Sequence, residues 1–209
     1  MVLWPQAEEY VEAVQSPAAT FVDARMHGAR METLASGLPS RATGQFAVVF
    51  PGLVAGERHA IRCIYKGGSD LAERYGAISR HFEAQNALAP YLVRFEFIER
   101  GIRIRGQEYP VILMKYAEGE LLSTAVERFV SSGDSARLLR LADRWLEMLR
   151  TLKATRTGHG DLQHGNVLVR GEDLVLVDYD GMFVQALANQ PPEEVGHPNY
   201  QHPGRMPQT

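Results

Sequence analysis

The chain has 209 residues, 45% of them hydrophobic, with 22 basic and 25 acidic side chains and a formal net charge of -3. This composition suits a globular protein of one domain or two small lobes, and it argues against a nucleic-acid surface, since no basic cluster lies among aromatic residues. The single cysteine, the lack of a signal-peptide pattern and the lack of an apolar run of roughly 18 residues favour a cytoplasmic protein without disulfides or membrane insertion.

The N-terminal extension, residues 1–35, contains one predicted helix. Residues 6–15 place Tyr10, Val11 and Val14 on one helical face, and the Ser-Pro that follows ends the helix. We expect this face to pack against the part of the chain that follows.

From residue 41 the pattern becomes that of β-strands. The predicted strands include residues 44–50, 59–65, 92–99 and 107–114. A glycine-containing turn at residues 52–56 joins the first two, and a turn at Arg100 and Gly101 joins the last two. We predict a five-stranded antiparallel sheet between residues 41 and 114.

The spacing of apolar residues predicts two longer helices. The first follows a cap at Ser69 or Asp70 and runs to about residue 86. Its apolar stripe is Leu71, Tyr75, Ile78 and Phe82. The second runs from Ser135 to near Gly158. Its stripe is Leu138, Leu141, Trp145, Leu149 and Leu152. We interpret this second stripe as hydrophobic core.

The most informative stretch is His-Gly-Asp-Leu-Gln-His-Gly-Asn at residues 159–166. Asp161 and Asn166 lie five residues apart in it, and Asp178 follows twelve residues after Asn166. Two short apolar runs between Asn166 and Asp178 predict a hairpin that holds these two side chains near each other. The alternative is an ordinary buried hairpin with polar residues at its ends.

This order of residues resembles the catalytic loop (His-x-Asp-Leu-x-x-x-Asn) and the Asp-aromatic metal-binding motif of the protein-kinase-like superfamily. The likeness extends over residues 42–203. Residues 42–49 align with the glycine-rich loop, Ala-Ile-Arg at residues 60–62 stands where kinases carry Ala-Ile-Lys, and residues 196–203 have the Gly-x-x-x-Tyr-x-x-Pro spacing of an activation-segment end. The chain resembles divergent bacterial serine/threonine kinase-like proteins.

The resemblance implies an α+β, bilobal fold. Residues 36–116 would form an antiparallel β N-lobe, residues 116–119 a hinge, and residues 117–209 a mainly helical, partial C-lobe. A kinase lobe has further helices after the activation segment, so a truncated domain or an incomplete lobe is expected.

The resemblance also implies a site for ATP and Mg²⁺. Asp161 and Asn166 would be catalytic, and Asn166 and Asp178 would bind the metal. The residues expected to contact the nucleotide are Gly44, Phe46, Val49, Ala60, Arg62, Lys115 and Ala117. Arg62 would face the phosphates in place of the kinase lysine. The alternatives are a solvent-facing Arg62, or Lys66 in its role if the strand is bulged.

Several positions depart from the kinase pattern. Gly44 alone keeps a glycine of the glycine-rich loop. Gly160 replaces the arginine that couples the catalytic loop to a phosphorylated activation loop, so that switch is expected to be absent. Glu73 and Glu83 are the candidate partners of Arg62, although ordinary solvated acids on a surface helix are the expected description of Glu73.

Three functions follow from these observations. The first is a serine/threonine protein kinase, with a protein substrate or signalling partner. The second is a pseudokinase or nucleotide-binding scaffold, and the third is a small-molecule phosphotransferase of the aminoglycoside or choline type. The segment at residues 196–203 favours a peptide substrate, and its histidines, His197 and His202, lack nearby partners for a tetrahedral metal site.

Overall fold

A computed structural model describes residues 3–44, 46–67, 70–190 and 196–201. The fold is α+β, as predicted, and the paired strands of its sheets are antiparallel. The chain divides into two compact units. Unit 1 comprises Met1–Gly76 and Arg94–Tyr116, and unit 2 comprises Ala77–Val93 and Ala117–Thr209.

Unit 1 is built on a sheet that has six strands within the described residues. Its elements are α1 (Ala7–Ala13), α2 (Pro17–Thr20), β1 (Arg30–Met31), β2 (Ala42–Thr43), β3 (Ala47–Val54), β4 (Glu57–Ile64), β5 (Phe95–Ile104) and β6 (Gln107–Lys115). Helix α3 (Leu71–Ala84) begins in unit 1 and ends in unit 2. The strand order is β1-β3-β4-β6-β5, and β2 also pairs with β3. The five strands predicted between residues 41 and 114 are present, and β1 is an additional one.

The N-terminal residues are part of the core of unit 1. Tyr10 on α1 is fully buried, and its hydroxyl donates a hydrogen bond to the carbonyl oxygen of Ile64 (2.6 Å). Val14 is buried beside it, so the predicted helical face does pack against the sheet. Strand β1 lies so close to β3 that a Cβ atom on Gly52 would be 2.8 Å from the carbonyl oxygen of Arg30.

Both predicted turns in the sheet are corrected by the structure. Strand β3 continues to Val54, so the first turn is only Ala55 and Gly56, both with positive φ. The turn expected at Arg100 and Gly101 is wrong. Strand β5 continues through both residues, with a register shift between Ile98 and Ile102.

The glycine at position 101 marks this irregularity and not a chain reversal. A Cβ atom there would overlap the side chain of Val111 on the neighbouring strand. The chain reverses at Arg105 and Gly106, whose φ angles of 53° and 76° suit a two-residue hairpin loop. Glycine is common both in turns and in bulges, so its presence alone did not locate the turn.

The two faces of the sheet pack against different residues. Ile61 and Cys63 point to the core that contains Tyr10. Ile64 points to the opposite face, where it packs near Tyr75 of α3. This alternation along β4 places Arg62 on the same face as Ile64.

Unit 2 contains the longest of the described helices and a small sheet. Its elements are β7 (Glu120–Leu121), α4 (Leu122–Ser131), α5 (Ser135–Ala154), β8 (Val167–Arg170) and β9 (Asp173–Leu176), with the sheet in the order β7-β8-β9. Helix α5 begins as predicted and ends earlier than Gly158. Its buried residues are Leu141, Met148 and Leu152. Met148 therefore lies on the buried face of the helix, although the predicted stripe did not include it. Among the described helices, none is long and apolar enough to cross a bilayer.

Candidate active site

A hairpin in unit 2 brings Asn166 and the chain before Asp178 together. Strands β8 and β9 are in register, with Val167 opposite Leu176. One step beyond this ladder, the amide of Val177 donates to the carbonyl oxygen of Asn166 (3.0 Å). The predicted hairpin is therefore present, and its pairing extends to Val177, the residue before Asp178.

Asp161 and Asn166 are joined directly. The Nδ2 group of Asn166 donates to both the main-chain oxygen and the Oδ2 atom of Asp161, each at 2.9 Å. Asn166 is buried, and Gln163 Nε2 adds a longer bond to Oδ2 of Asp161 (3.3 Å). Because Nδ2 is committed to Asp161, Oδ1 is the amide atom of Asn166 that remains available to a cation.

His159 links the loop to the end of strand β9. Its Nε2 atom lies 3.0 Å from the carbonyl oxygen of Val177. A carbonyl oxygen only accepts hydrogen bonds, so Nε2 carries the proton. The imidazole is almost completely buried, and this burial lowers the pKa of His159 below its ordinary value. A neutral imidazole thus fixes the position of the residue before Asp178.

Gly160 lies where the loop that contains Asp161 comes close to the main chain of Gly181. Its φ is +85°, and a Cβ atom there would overlap the carbonyl oxygen of Gly181. The sequence identified Gly160 only as a missing arginine. The structure adds a steric reason for glycine, because no side chain fits between the loop and the Asp-Gly that follows Tyr179.

Asp178 and Tyr179 are held in an unusual local conformation. Asp178 has a φ of 66°, in the left-handed region that aspartate tolerates better than most residues. The buried hydroxyl of Tyr179 donates to the carbonyl oxygen of Leu176 (2.9 Å) and accepts from the amide of Val93 (2.7 Å). Burial raises the pKa of Tyr179 above its ordinary range, so this anchor stays protonated.

The segment at residues 196–201 lies on the loop that contains Asp161. The amide of His197 donates to Oδ1 of Asp161 (2.6 Å), and Gln201 Nε2 donates to the carbonyl oxygen of Gly160 (3.0 Å). Nδ1 of His164 lies 2.5 Å from the hydroxyl of Tyr200. Both carboxylate oxygens of Asp161 therefore have protein donors. The sequence recognised this segment by its spacing but not its contact with Asp161, and His202 lies outside the described residues.

Most of the predicted nucleotide-contacting residues belong to unit 1. Gly44 and Phe46 lie in the tight connection between β2 and β3, closed by a bond from the amide of Gly44 to Ala47 (2.9 Å). Val49 on β3 stands directly opposite Arg62 on β4. Ala60 shares the face of Arg62, which is buried with 9% of its surface exposed.

The burial of Arg62 settles one of the alternatives left by the sequence. A solvent-facing arginine is excluded, because little of its surface is exposed. The pairing of β3 and β4 is continuous as far as Ile64, and beyond it the amides of Tyr65 and Lys66 both donate to the carbonyl oxygen of Phe46 (3.0 and 3.3 Å). Lys66 is exposed beyond the strand, with its Nζ atom 5.4 Å from the centre of the Phe46 ring. Glu73 and Glu83 are both exposed, whereas Arg74 of the same helix is buried.

Lys115 and Ala117 lie at the end of β6. The amide of Lys115 is bound to the carbonyl oxygen of Arg94 (3.1 Å), and its side chain pairs with Glu57 (3.5 Å). Lys115 and Tyr116 are the last two residues of unit 1. Ala117 is the first residue of the second segment of unit 2. Ala117 is therefore the one predicted nucleotide-contacting residue that belongs to the same unit as Asp161, Asn166 and Asp178.

The donor atoms of Asn166 and Asp178 fit magnesium. Mg²⁺ prefers hard oxygen ligands and takes few of them from the protein, since water and phosphate complete its shell. One amide oxygen and one carboxylate meet that requirement. No cluster of three or more histidine, cysteine, aspartate or glutamate side chains suited to a metal occurs in the part of the chain that is described. Any metal here would therefore depend on the amide of Asn166 and on the phosphates.

Comparison of the chain with protein-family models and with curated proteins finds no match.

Proposed function

We propose that the chain is an ATP-dependent phosphotransferase of the protein-kinase-like type, which transfers a phosphoryl group from Mg-ATP to a hydroxyl group of a protein. The observation that carries this proposal is the pair of 2.9 Å hydrogen bonds from Asn166 to Asp161. They fix a carboxylate beside an amide oxygen, and the β8–β9 hairpin leads directly to a second carboxylate, Asp178. Phosphoryl transfer asks the protein mainly for groups held in position.

Each residue of the site has a role in this proposal. Bound Mg-ATP would supply the phosphoryl group and neutralise charge on its oxygens. Asp161 would orient the acceptor hydroxyl and accept its proton, and Asn166 would hold that carboxylate in one orientation. Asn166 Oδ1 and the carboxylate of Asp178 would hold the metal. His159 would keep Asp178 in place through its bond to Val177.

The position of Arg62 in unit 1 supports the same family. Counted from β2, it lies on the third strand, which is followed by helix α3. This is the context in which protein kinases carry their phosphate-binding lysine. We propose that Arg62 binds the nucleotide phosphates, and that residues 36–116 and 117–209 correspond to the N-lobe and part of the C-lobe of a kinase-like domain.

The segment at residues 196–201 favours a protein acceptor over an antibiotic or choline. Small-molecule phosphotransferases lack this activation-segment ending, whereas here it is bonded to Asp161 and Gly160. An acceptor that reaches Asp161 would also meet this segment. A protein substrate or signalling partner is therefore the proposed partner class.

A nucleotide-binding scaffold is the second candidate function, because the amide of His197 occupies Oδ1 of Asp161. A carboxylate that has donors on both oxygens is poorly placed to take a proton from a substrate. Binding of Mg-ATP without turnover would distinguish this scaffold from an enzyme.

The test measures Mg²⁺-dependent ATP binding by calorimetry, followed by transfer of radiolabelled γ-phosphate to serine- and threonine-containing peptides. Asp178→Ala should abolish Mg²⁺-dependent binding and leave the fold intact. Asp161→Asn should keep binding and lower the rate of transfer by about 10²–10⁴-fold. Asp173→Ala, an exposed aspartate on the same hairpin, is the matched control. Unchanged ATP affinity in Asp178→Ala would show that the metal assignment is wrong.

A further inference from the structure

Unit 2 contains a pocket whose lining residues do not include the loop of Asp161. Its volume is about 280 Å³, and its floor is apolar, formed by Phe129 of α4, Leu141 of α5 and Val169 of β8. These three side chains are buried. A pocket of this size is close to the lower end of those that hold small ligands.

The rim of this pocket is rich in arginine. Arg128, Arg137 and Arg140 line it, together with Glu120 and Glu172. The lining therefore carries three positive and two negative charges, which leaves one positive charge in excess. The ordinary explanation is a set of surface ion pairs, and such pairs contribute little to stability.

The way these arginines are paired argues against that explanation alone. Arg140 meets Glu172 through Nε (2.7 Å), and Arg137 meets Asp134 through Nε (3.4 Å). Within the described residues, the terminal Nη groups of Arg137 and Arg140 donate no hydrogen bond to the protein. These groups form the end of the guanidinium that can grip a phosphate or carboxylate with two parallel bonds.

The arginines are also close to one another. Arg137 and Arg140 are three residues apart on α5, so they are neighbours on its surface. The guanidinium groups of Arg128 and Arg137 lie 4.3 Å and 5.6 Å from the centre of the Phe129 ring. Both cations therefore lie against one buried ring, and each also has a carboxylate partner, Glu120 for Arg128 and Asp134 for Arg137.

We propose that this pocket binds a phosphate monoester that carries a small apolar or aromatic group. The phosphate contacts the Nη groups of Arg137 and Arg140, and the apolar group rests on Phe129, Leu141 and Val169. A dianionic phosphate uses several arginines, whereas a carboxylate is satisfied by one. This site is independent of the proposed function of Asp161 and Asp178.

The test is titration of the full chain with phenyl phosphate, followed by NMR and calorimetry. Wild-type protein should bind one equivalent, more tightly than it binds inorganic phosphate or benzoate. The Arg137→Gln/Arg140→Gln double variant should lose at least about tenfold in affinity. Arg144→Gln is the control, since Arg144 is a similarly exposed arginine on the same helix and pairs with Glu147 outside the pocket.

Two further readouts make the test decisive. Asp178→Ala should retain phenyl phosphate binding, which separates this pocket from a nucleotide site. The exposed arginines can be replaced without loss of fold, and thermal unfolding verifies this. The proposal is overturned if phenyl phosphate shows no saturable binding, if the double variant binds like wild type, or if Arg144→Gln loses as much affinity as the double variant.

Discussion

Gly160 has two physical constraints that can be separated by experiment. Its φ is positive, and its position leaves no room for a Cβ atom beside Gly181. Gly171, in the β8–β9 turn, has a similar φ of 66° but open space around it. The pair thus distinguishes backbone strain from lack of room.

We expect Gly160→Ala to destabilise the protein more than Gly171→Ala does. Adding a side chain to a left-handed residue costs about 1–2 kcal/mol, and this is the effect expected at Gly171. Overlap with Gly181 adds about 1–3 kcal/mol at Gly160. Urea unfolding measures both values. Equal losses for the two variants would mean that the loops separate easily and that the close approach is unimportant.

Arg62 is the residue whose role in unit 1 can be tested most directly. If Arg62 binds phosphate as proposed, a charge-assisted contact from its guanidinium would contribute roughly 1.5–3 kcal/mol. Arg62→Ala should therefore weaken ATP binding about ten- to a hundred-fold, while Arg62→Lys should restore part of the affinity. Lys66→Ala, at an exposed position, should change ATP affinity much less. A larger loss in Lys66→Ala than in Arg62→Ala would show that Lys66 is the phosphate ligand.

Among the elements, those specified by contiguous patterns were predictable from the sequence. The loop around Asp161 and the β8–β9 hairpin are close in the chain, so the spacing of residues alone was enough to predict the hairpin between Asn166 and Asp178. The turn at Arg105 was not predicted, because Gly101 gave an equally good turn signal. The bond between His197 and Asp161 joins residues 36 positions apart through a main-chain amide, which leaves no side-chain pattern to detect.

Helix α1 gives a prediction at the scale of an element, because its main anchor is one side chain. Truncation of a fully buried aromatic residue costs about 3–5 kcal/mol, so Tyr10→Ala should destabilise unit 1 by that amount. Tyr10→Phe should cost only about 1–3 kcal/mol, for the unsatisfied carbonyl oxygen of Ile64. Glu12→Ala, at an exposed position of the same helix, is the control. Unfolding in urea provides the measurement, and a neutral Tyr10→Ala would mean that α1 is dispensable.

At the scale of the whole molecule, the two units should respond differently to mild acid. Burial lowers the pKa of both His81 and His159, and both lie in unit 2. The unfolded chain then binds more protons than the folded one below the ordinary histidine pKa of about 6.5. The stability that these neutral residues contribute is present above that pH and is lost as the pH falls from it through the lowered pKa of the folded state.

Hydrogen exchange at pH 7.5 and 5.5, corrected for intrinsic rates, should therefore show loss of protection mainly in residues 77–93 and 117–190. His159 is 3% exposed and donates to Val177, so it should account for most of the effect. In His159→Phe the difference between the two pH values should shrink, although the variant is less stable at both. Equal loosening of unit 1 would contradict this assignment.

The hydrogen bond between His197 and Asp161 has a consequence for how tightly an acceptor would bind. The amide of His197 occupies the Oδ1 atom of Asp161 that a substrate hydroxyl would need. If Asp161 binds an acceptor as proposed, residues 196–201 would act as an intramolecular competitor for it. The measured affinity for any acceptor is its intrinsic affinity multiplied by the fraction of molecules in which this contact is open. A partner that draws residues 196–201 away would then raise acceptor affinity without touching Asp161.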